Sequence, residues 1–597
     1  MTQQMDTTAS GPVYAADARL ARRHYILLLI YGVVMAFPAF WTGYIPSRDG
    51  LIHLHWSSQF TSQLWAGDLY PRWLAEMNDG LGSPVMLFYA PLPYYLTALL
   101  RPFFWADPQG WHQLGVACGI AIVLSGFTAY AWLRRVVSAP AALLAALIYL
   151  SAPYHLACDL FQRFAFGELW AFVWMPLLLL ATDAMLAGRR LAWLALALSY
   201  AALITTHLPT TMIFSPVLLC YAFFKLPPAA WLPAALKYGA ALALGIGIAM
   251  IYLLPALTGR DNVSFGDMLE TYFNPAYNFL FYGPRYDDEF RLYVRNQGWL
   301  AAVMIVVSVA AFACTARTAD RARRAWVAVW FAVALLSFAI MLPPAKPLWD
   351  WIGPLRAIQF PWRFNTLLTL AVAALIAAWV AWGGPRSGRW KLWMIVIASL
   401  ALFAQTVPVL LTYLLISATP GAPSLEKMMN QFGTLVPATR IKLEGAAVKL
   451  EVPEYRPRGV PRAHLLNADA LRKFAGARPR ATIAEEQGTV SVQDWRAGRI
   501  TLASDARQAT WVTLRLFYYP NWQASANGQA LPTRPDPGGL LEIEVPSGPQ
   551  QVQVSFARSR MEQWGAMVSL ASLLIAAVLA WRGTRVRGGA SVAGRGR

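Results

Sequence analysis

The chain has 597 residues, of which 57% are hydrophobic and only 14% charged, and its formal net charge is +19. Soluble domains carry about 25% charged residues, so this composition excludes ordinary soluble, disordered and collagen-like proteins. Apolar stretches of about twenty residues recur along the chain, and they indicate a polytopic helical membrane protein.

The apolar stretches predict twelve spans. The first follows a polar amino-terminal tail over residues 1–24 and is long enough to remain in the membrane as an uncleaved anchor. A membrane core is expected over 25–417, a last span over 563–582 and a basic tail over 583–597. The expected spans lie near residues 25–45, 113–133, 140–158, 168–186, 191–207, 209–225, 236–257, 299–315, 325–343, 365–382, 392–417 and 563–582.

Basic residues are concentrated between alternate spans, and short loops rich in Lys and Arg face the cytoplasm. If the amino terminus lies inside, the inner side holds Arg19, Arg22, Arg23, Arg134, Arg135, Arg189, Arg190, Lys225, Lys237, Arg317, Arg321, Arg323, Arg324, Arg386, Arg389, Lys391 and the tail arginines. The positive net charge is therefore explained by the orientation of the chain in the membrane, and no nucleic-acid partner is expected.

The first external loop, residues 46–112, is unusually long. Its centre, 84–105, is apolar but is interrupted by Pro84, Pro91 and Pro93. Counting it as a thirteenth span would reverse the sidedness of the later loops. We therefore interpret it as an interfacial or re-entrant helix, rich in the Tyr and Trp that favour the membrane boundary.

The composition changes at residue 418 to a soluble, strand-rich type. Apolar and polar residues alternate with period two, which predicts strands at 510–519, 540–546 and 551–557. Asn527-Gly528 is a hairpin turn signal, and residues 535–539 form another turn. We expect an external β-sandwich or jelly-roll-like domain over 418–562.

The densest set of polar residues opens the first loop. If residues 49–63 form a helix, four side chains lie on one face: Asp49, His53, Trp56 and Phe60. An acid at the water boundary can serve as general base or metal ligand. The alternative is that Asp49 only caps the helix, since Asp favours that position.

Zinc binding is a weaker interpretation of this loop. His53 and His55 diverge by about 200 degrees around a helix, and a third ligand is not evident. The cysteines all lie in or beside predicted spans and show no C-x-x-C spacing. Structural histidines are favoured, no cofactor is expected, and the sequence leaves the role of a divalent metal open.

The next external turn brings further ionisable residues to the membrane boundary. His155, Asp159 and Arg163 follow one another at spacings of four, and Glu168 lies near the start of the next span. Ionisable groups at membrane depth face a partner or a cavity. A helical Asp159–Arg163 ion pair would account for two of these residues without any function.

Arginines and aromatic residues share the loop 344–364, which contains Arg356 and Arg363. Arginine suits phosphate because its planar fork donates two hydrogen bonds, and aromatic surroundings suit a lipid chain. Anchoring at the interface is the alternative. His207 is placed to line the same cavity, and Arg72 is a further candidate that otherwise belongs to the loop surface. The acidic run 287–289 is interpreted as solvated charge.

Five segments together resemble a known family: 48–56, 67–96, 151–172, 355–364 and 517–529. The chain resembles the bacterial membrane proteins related to pyruvoyl-tetrahydropterin synthase, which are similar to YfhO-like GT-C glycosyltransferases. The pterin label does not describe its chemistry, because nothing in the sequence supports the compact α/β fold of the soluble synthase or its three-histidine zinc site.

The resemblance implies an active site at the external face and a polyprenyl-phosphate-linked sugar donor. In GT-C enzymes an acid of the first external loop acts on the acceptor or binds metal, and Asp49 occupies the matching place. No second acid lies nearby in that loop, so metal dependence is left open. His53 and His155 are expected to orient the acceptor, and Asp159, Glu168 and the arginines to bind substrate.

The sequence thus predicts a GT-C-like enzyme of the bacterial inner or plasma membrane, with its active site facing the periplasm or exterior. It would transfer a sugar to a lipid, glycan or protein acceptor of the cell envelope. Two other interpretations remain: a transporter or flippase for a lipid-linked glycan, and a non-catalytic assembly protein whose β-domain binds polysaccharide.

Overall fold

The fold was analysed in a computed structural model. It describes residues 12–42, 47, 49–107, 109–269, 273–282, 288–383, 452–466, 468–476 and 478–585. Within these residues, helices make up the chain to Trp382, and antiparallel strands dominate 481–556. A final long helix follows the strands. This arrangement confirms the predicted fold class, a polytopic helical protein with a C-terminal β-domain.

The long helices overlap the predicted spans, although the first begins at Pro12, within the predicted polar tail, and shorter helices lie between the long ones. Their bounds are α1 Pro12–Thr42, α2 Gly50–Trp65, α3 Leu92–Ala98, α4 Trp111–Leu133, α5 Ala139–Leu150, α6 Phe166–Leu186, α7 Ala192–Ile204, α8 Leu208–Phe224, α9 Trp231–Thr258, α10 Asp288–Ala316, α11 Arg321–Ile340, α12 Lys346–Trp351, α13 Asn365–Trp382, α14 Ala468–Ala475 and α15 Arg560–Arg585. A π-helical segment, Tyr154–Gln162, follows α5.

The described residues contain 9 helical stretches long and apolar enough to cross a membrane. Helices α7 and α8 match predicted spans but have only 13 and 17 residues. The predicted span at 392–417 and the acidic run at 287–289 lie outside the residues whose side chains the structure describes. The count of twelve spans is therefore not confirmed.

Helix α13 lies in the middle of the bundle. In the most apolar 18 residues of its spanning stretch, Pro361–Trp382, 89% of the residues are buried, and the helix packs against α5, α10 and α11. A helix that is apolar on all sides can be buried on all sides, which explains this central position. In contrast, only 22% of the residues in the corresponding part of α15 are buried, and α15 packs mainly on α9. The segment that carries Arg363 thus enters the centre of the protein.

The first loop folds into short elements. Helix α2 is followed by irregular chain, two 3₁₀ turns and the seven-residue α3, and the described part of this loop holds no helix of spanning length. This agrees with the exclusion of a thirteenth span, although prolines divide the expected helix into pieces. Tyr94 of α3 is fully buried against the bundle.

The C-terminal strands form two antiparallel sheets that share a core. The strands are β1 Ala481–Thr482, β2 Gly488–Arg496, β3 Arg499–Ala506, β4 Thr510–Phe517, β5 Trp522–Ala526, β6 Gln529–Leu531, β7 Thr533–Pro535, β8 Leu540–Val545 and β9 Gly548–Phe556. The sheet orders are β1-β4-β8-β7 and β2-β3-β9-β5-β6. The predicted sandwich is confirmed, with Asn527-Gly528 forming the β5–β6 turn at φ 52° and 78°.

The first loop and the β-domain lie on the same side of the bundle. Trp73 and Leu81 of the loop are part of the β-domain core. Asp79 of the loop forms a 2.8 Å ion pair with Arg515 of β4. Residues 456–458, which lead into the β-domain, pair with residues 262–264 after α9. These contacts hold the β-domain against the first loop and against the chain that follows α9.

Candidate active site

The start of α2 is attached to the end of the π-helical segment. The Asp49 amide donates a 2.9 Å hydrogen bond to the Arg163 carbonyl, and the Asp49 carboxylate lies 3.9 Å from Arg163 Nε. The Asp49 side chain is 45% exposed and makes no capping hydrogen bond. The Asp49 side chain therefore does not cap α2. It lies half exposed beside Arg163.

Glu168 is the centre of a buried polar network. Its side chain is 0% exposed, and it accepts hydrogen bonds from Arg163 at 2.9 Å, Tyr154 at 2.9 Å and Thr366 at 2.7 Å. Arg363 Nε lies 3.6 Å from the same carboxylate. A buried charge is tolerated when it is paired and hydrogen-bonded. One carboxylate thus holds the two arginines of the network close together.

The predicted helical pair between Asp159 and Arg163 is not formed. The π-helical turn ends at Arg163, and Phe164 adopts the left-handed conformation with φ 59°, so the chain reverses and directs Arg163 to Glu168. Neither carboxylate oxygen of Asp159 has a hydrogen-bond partner among the described residues. The spacing of four predicts a pair only on a regular α-helix.

The arginines lie among aromatic rings of the segment before α13. The Arg163 guanidinium lies 4.9 Å from the Trp362 ring centre, and that of Arg363 lies 4.9 Å from the Phe360 ring centre. Arg363 donates to the Ile358 carbonyl, and its buried Nε lies 3.6 Å from the Glu168 carboxylate without a hydrogen bond to any described residue. Guanidinium groups are suited to bind an anion.

Backbone strain marks the same region. Besides Phe164, Gln359 has a positive φ of 67°, and its side-chain oxygen accepts a 3.1 Å hydrogen bond from Arg363. Left-handed conformations of residues other than glycine cost about 1–3 kcal/mol and are concentrated at functional sites. Both strained residues border the two arginines, which supports a function for this cluster.

The three predicted histidines support the framework of the site. His53 Nδ1 is 2.7 Å from the Tyr94 hydroxyl, and burial, with a smaller effect of Arg163, lowers the pKa of His53 to about 3. The His155 ring stacks on Phe172 at 3.9 Å. His207 Nδ1 accepts a 3.3 Å hydrogen bond from the Thr210 amide and caps α8. All three are buried.

Two predicted arginines lie outside the cluster. Arg72 forms an ion pair with Glu562 at the start of α15 and lies over the Phe556 ring, so it joins the first loop to the β-domain. Arg356 is about half exposed and donates to the Asp350 carbonyl at 3.0 Å. Both arginines already hold structural partners, so neither is assigned to substrate.

Sequence reasoning missed the hydroxyl groups of the site. Thr366 was not considered, although it follows Arg363 by three residues and therefore lies one helical turn away. Tyr154 and Tyr89 were also missed. Burial and the Asp49 carboxylate raise the pKa of Tyr89, so this hydroxyl stays protonated beside the cluster. Contacts between residues far apart in the sequence bring these three hydroxyl groups to the site, and local sequence patterns do not predict such contacts.

The described residues around Asp49 do not form a site for a divalent metal. The Asp49 carboxylate pairs with the Arg163 guanidinium, which is itself a cation. Across the described parts of the chain, three or more His, Cys, Asp or Glu side chains nowhere gather as a metal site. Metal sites for hard cations need several oxygen ligands, so no step is assigned to a metal.

Comparison with solved structures gives several likenesses at low identity, among them AftD and ArnT. The mycobacterial arabinofuranosyltransferase AftD is 14% identical, with 89% of this chain and 40% of that chain covered and a TM-score of 0.45. ArnT from Cupriavidus metallidurans bound to undecaprenyl phosphate is 15% identical, with 60% and 77% covered and a TM-score of 0.32. The present chain thus spans 40% of the length of AftD.

No curated protein matches this chain. A family profile does match over residues 86–411, and it is described as "6-pyruvoyl-tetrahydropterin synthase related domain; membrane protein". The match covers more than half of the chain and includes Glu168 and Arg363. The chain therefore belongs to the family of membrane proteins with a 6-pyruvoyl-tetrahydropterin synthase related domain.

Proposed function

We propose that the protein is a GT-C-type glycosyltransferase that moves a sugar from a polyprenyl-phosphate donor to a hydroxyl of a cell-envelope acceptor. One observation carries the proposal: a half-exposed acid, Asp49, lies beside Arg163, which is held with Arg363 by the buried Glu168. A proton acceptor therefore stands next to two anion-binding groups, as this reaction requires.

The donor side of the proposed reaction uses the two arginines. As the bond between the sugar and the phosphate breaks, negative charge grows on the phosphate oxygens. Arg363 offers a buried N–H that has no protein hydrogen bond among the described residues, and Arg163 lies at the opening beside Asp49. Because Glu168 keeps both guanidinium groups in place, they stabilise this charge without reorganising.

The acceptor side uses Asp49. Its carboxylate accepts a hydrogen bond from the acceptor hydroxyl and draws off the proton while the acceptor oxygen bonds to the anomeric carbon. The electron pair of the broken sugar–phosphate bond stays with polyprenyl phosphate. His53 lies beneath Asp49 on α2 and is neutral, so it acts through the packing of the helix rather than on the acceptor.

The expected location is the outer face of a bacterial inner or plasma membrane. The first loop and the β-domain share one side of the bundle, and Asp49 lies on that side. Short loops rich in arginine belong to the opposite side by the positive-inside rule. A lipid-linked donor suits a site where an external water boundary and the membrane meet.

The experiment uses the purified full chain in nanodiscs with radiolabelled undecaprenyl-phosphate hexoses and pentoses, and an extract of envelope glycans and lipids as acceptor. Asp49→Asn is expected to lower transfer by about 100-fold or more, the usual contribution of a general base. Asp261→Asn, an exposed acid near the same side, is the control and should leave the rate unchanged. An unchanged rate in Asp49→Asn would reject its role.

Donor binding is measured separately with undecaprenyl phosphate alone. Arg363→Gln should weaken its binding by about 10- to 100-fold, because hydrogen bonds to charged groups contribute about 1.5–3 kcal/mol. Arg356→Gln, an exposed arginine outside the cluster, is the matched control. If the protein instead moves the labelled lipid between leaflets without releasing undecaprenyl phosphate, the transporter interpretation replaces the enzyme.

A further inference from the structure

A second acid approaches the site from the segment that leads into the β-domain. Glu454 belongs to the 3₁₀ turn Pro453–Tyr455, which precedes the residues paired with 262–264. Arg456 of the same segment forms a 3.0 Å ion pair with Asp267. These contacts fix the turn over the bundle, although it lies about 400 residues from Asp49 in the sequence.

The turn packs on the same aromatic layer as the active-site helix. The Tyr455 ring centre lies 6.1 Å from that of Trp56 and 6.4 Å from that of Tyr89. His53 contacts both of these rings, at 5.4 and 5.6 Å. The turn that carries Glu454 therefore packs on the aromatic rings that also contact His53, one helical turn after Asp49 on α2.

The Glu454 carboxyl is buried and incompletely satisfied. Its side chain is 8% exposed, and Oε2 has no hydrogen-bond partner among the described residues. Burial, assisted by the carboxylates of Asp49 and Asp267, raises the pKa of Glu454 to about 7. An acid with such a pKa exchanges protons at neutral pH, whereas an ordinary exposed glutamate holds a proton poorly.

We propose that Glu454 is a second acid of the acceptor side and the final acceptor of the proton that Asp49 draws from the acceptor hydroxyl. This inference rests on the proposed function. In the step, the acceptor O–H bond breaks, its oxygen bonds to the anomeric carbon, and the sugar–phosphate bond breaks with its electron pair on the phosphate. The proton passes from Asp49 to Glu454 and later returns to external water.

Asp49 and Glu454 have different roles in the proposed step because their charged neighbours differ. Asp49 lies beside the Arg163 guanidinium, which favours its ionised form, so it orients the hydroxyl and receives the proton only in passing. Besides burial, the carboxylates of Asp49 and Asp267 raise the pKa of Glu454, while Arg456 on its own segment forms an ion pair with Asp267. With acids as its charged neighbours, Glu454 is the better site for the proton.

The first test needs no turnover. In the intact protein, labelling of Glu454 by dicyclohexylcarbodiimide, which reacts with protonated carboxyl groups, is followed by mass spectrometry between pH 5 and 9. Labelling should fall with a midpoint near pH 7. In Asp49→Asn the midpoint should move to lower pH, because a neighbouring negative charge is lost. An unchanged midpoint in Asp49→Asn would overturn the inference.

The second test follows transfer against pH with the radiolabelled donors. Wild-type transfer should rise as Glu454 ionises near pH 7, and Glu454→Gln should lower kcat by about 100-fold and remove this rise. Glu454→Asp should retain a pH-dependent rise, and Glu485→Gln, an exposed acid of the β-domain, should behave as wild type. Binding of undecaprenyl phosphate should be unaffected in all three variants.

The outcomes separate the two proposals. If Asp49→Asn loses transfer while Glu454→Gln keeps both the rate and the pH profile of the wild type, the proposed glycosyltransferase function is supported and the proposed role of Glu454 is rejected. If the wild type transfers none of the donors, the proposed function fails. The labelling experiment then still decides whether Glu454 and Asp49 share a proton site.

Discussion

Replacement of Glu168 by Gln tests whether its charge holds the site together. The amide keeps an oxygen for the Tyr154 and Thr366 hydroxyls but removes the negative charge between Arg163 and Arg363. Loss of one partner from a buried ion pair costs about 3–5 kcal/mol, because the remaining charge is left without compensation in a low-dielectric interior. We expect the free energy of unfolding to fall by about this amount.

The assay is reversible unfolding of the purified protein in mixed micelles, followed by tryptophan fluorescence. Asp350→Asn is the matched control, since it breaks a 2.5 Å pair with Lys346 in which both side chains are 51% exposed. Exposed pairs contribute less than about 1 kcal/mol. A Glu168→Gln variant no less stable than Asp350→Asn would refute the argument.

A double variant makes the test specific. Arg163→Gln combined with Glu168→Gln removes both charges of the 2.9 Å pair, so it should lose less stability than the sum of the two single changes. Strict additivity would mean that the two side chains do not interact as described. The remaining Arg363 charge should keep the double variant less stable than the wild type.

Two further predictions concern stability. His53 is held neutral with a pKa of about 3, below its ordinary value of 6.5, so stability should fall as pH drops below about 6.5, by about 2 kcal/mol at pH 5. His53→Gln should lose less stability than the wild type over this pH range in the same unfolding assay, by about this amount, while other buried histidines such as His207 keep their own pH dependence. An equal slope in both proteins would contradict the prediction. In the β-domain, Gly539→Ala should destabilise more than Gly528→Ala, since both have positive φ but only at Gly539 would a Cβ lie 2.7 Å from Val460. Thermal unfolding of both variants compares them, and equal melting temperatures would refute the steric argument.

Local pattern was sufficient for the elements of secondary structure. The spacing of His53, Trp56 and Phe60 predicted that they share one face of α2, and in the structure all three are buried. The period-two alternation and Asn527-Gly528 likewise predicted β4, β8, β9 and the β5–β6 hairpin. These features depend on interactions between residues close in sequence, and such interactions follow from the order of side chains.

The sequence also predicted where the charged residues lie relative to the membrane. Charged residues are few, and six ionisable residues were expected on one side of the bundle: Asp49, His155, Asp159, Arg163, Glu168 and Arg363. The structure joins Asp49, Arg163, Glu168 and Arg363 in one network, whereas the Asp159 carboxylate has no hydrogen-bond partner among the described residues. Unpaired charge in the membrane is costly, so few arrangements are open to such residues.

The sequence by itself thus determined the apolar helices, the strands and the set of charged residues that must find partners. Only the tertiary structure decided which residues come together: Arg163 with Glu168 rather than Asp159, Arg72 with Glu562, and Tyr455 with Trp56 of α2. Periodicity acts over a few residues, whereas these pairings join segments up to 490 residues apart. They depend on how whole helices and the β-domain pack.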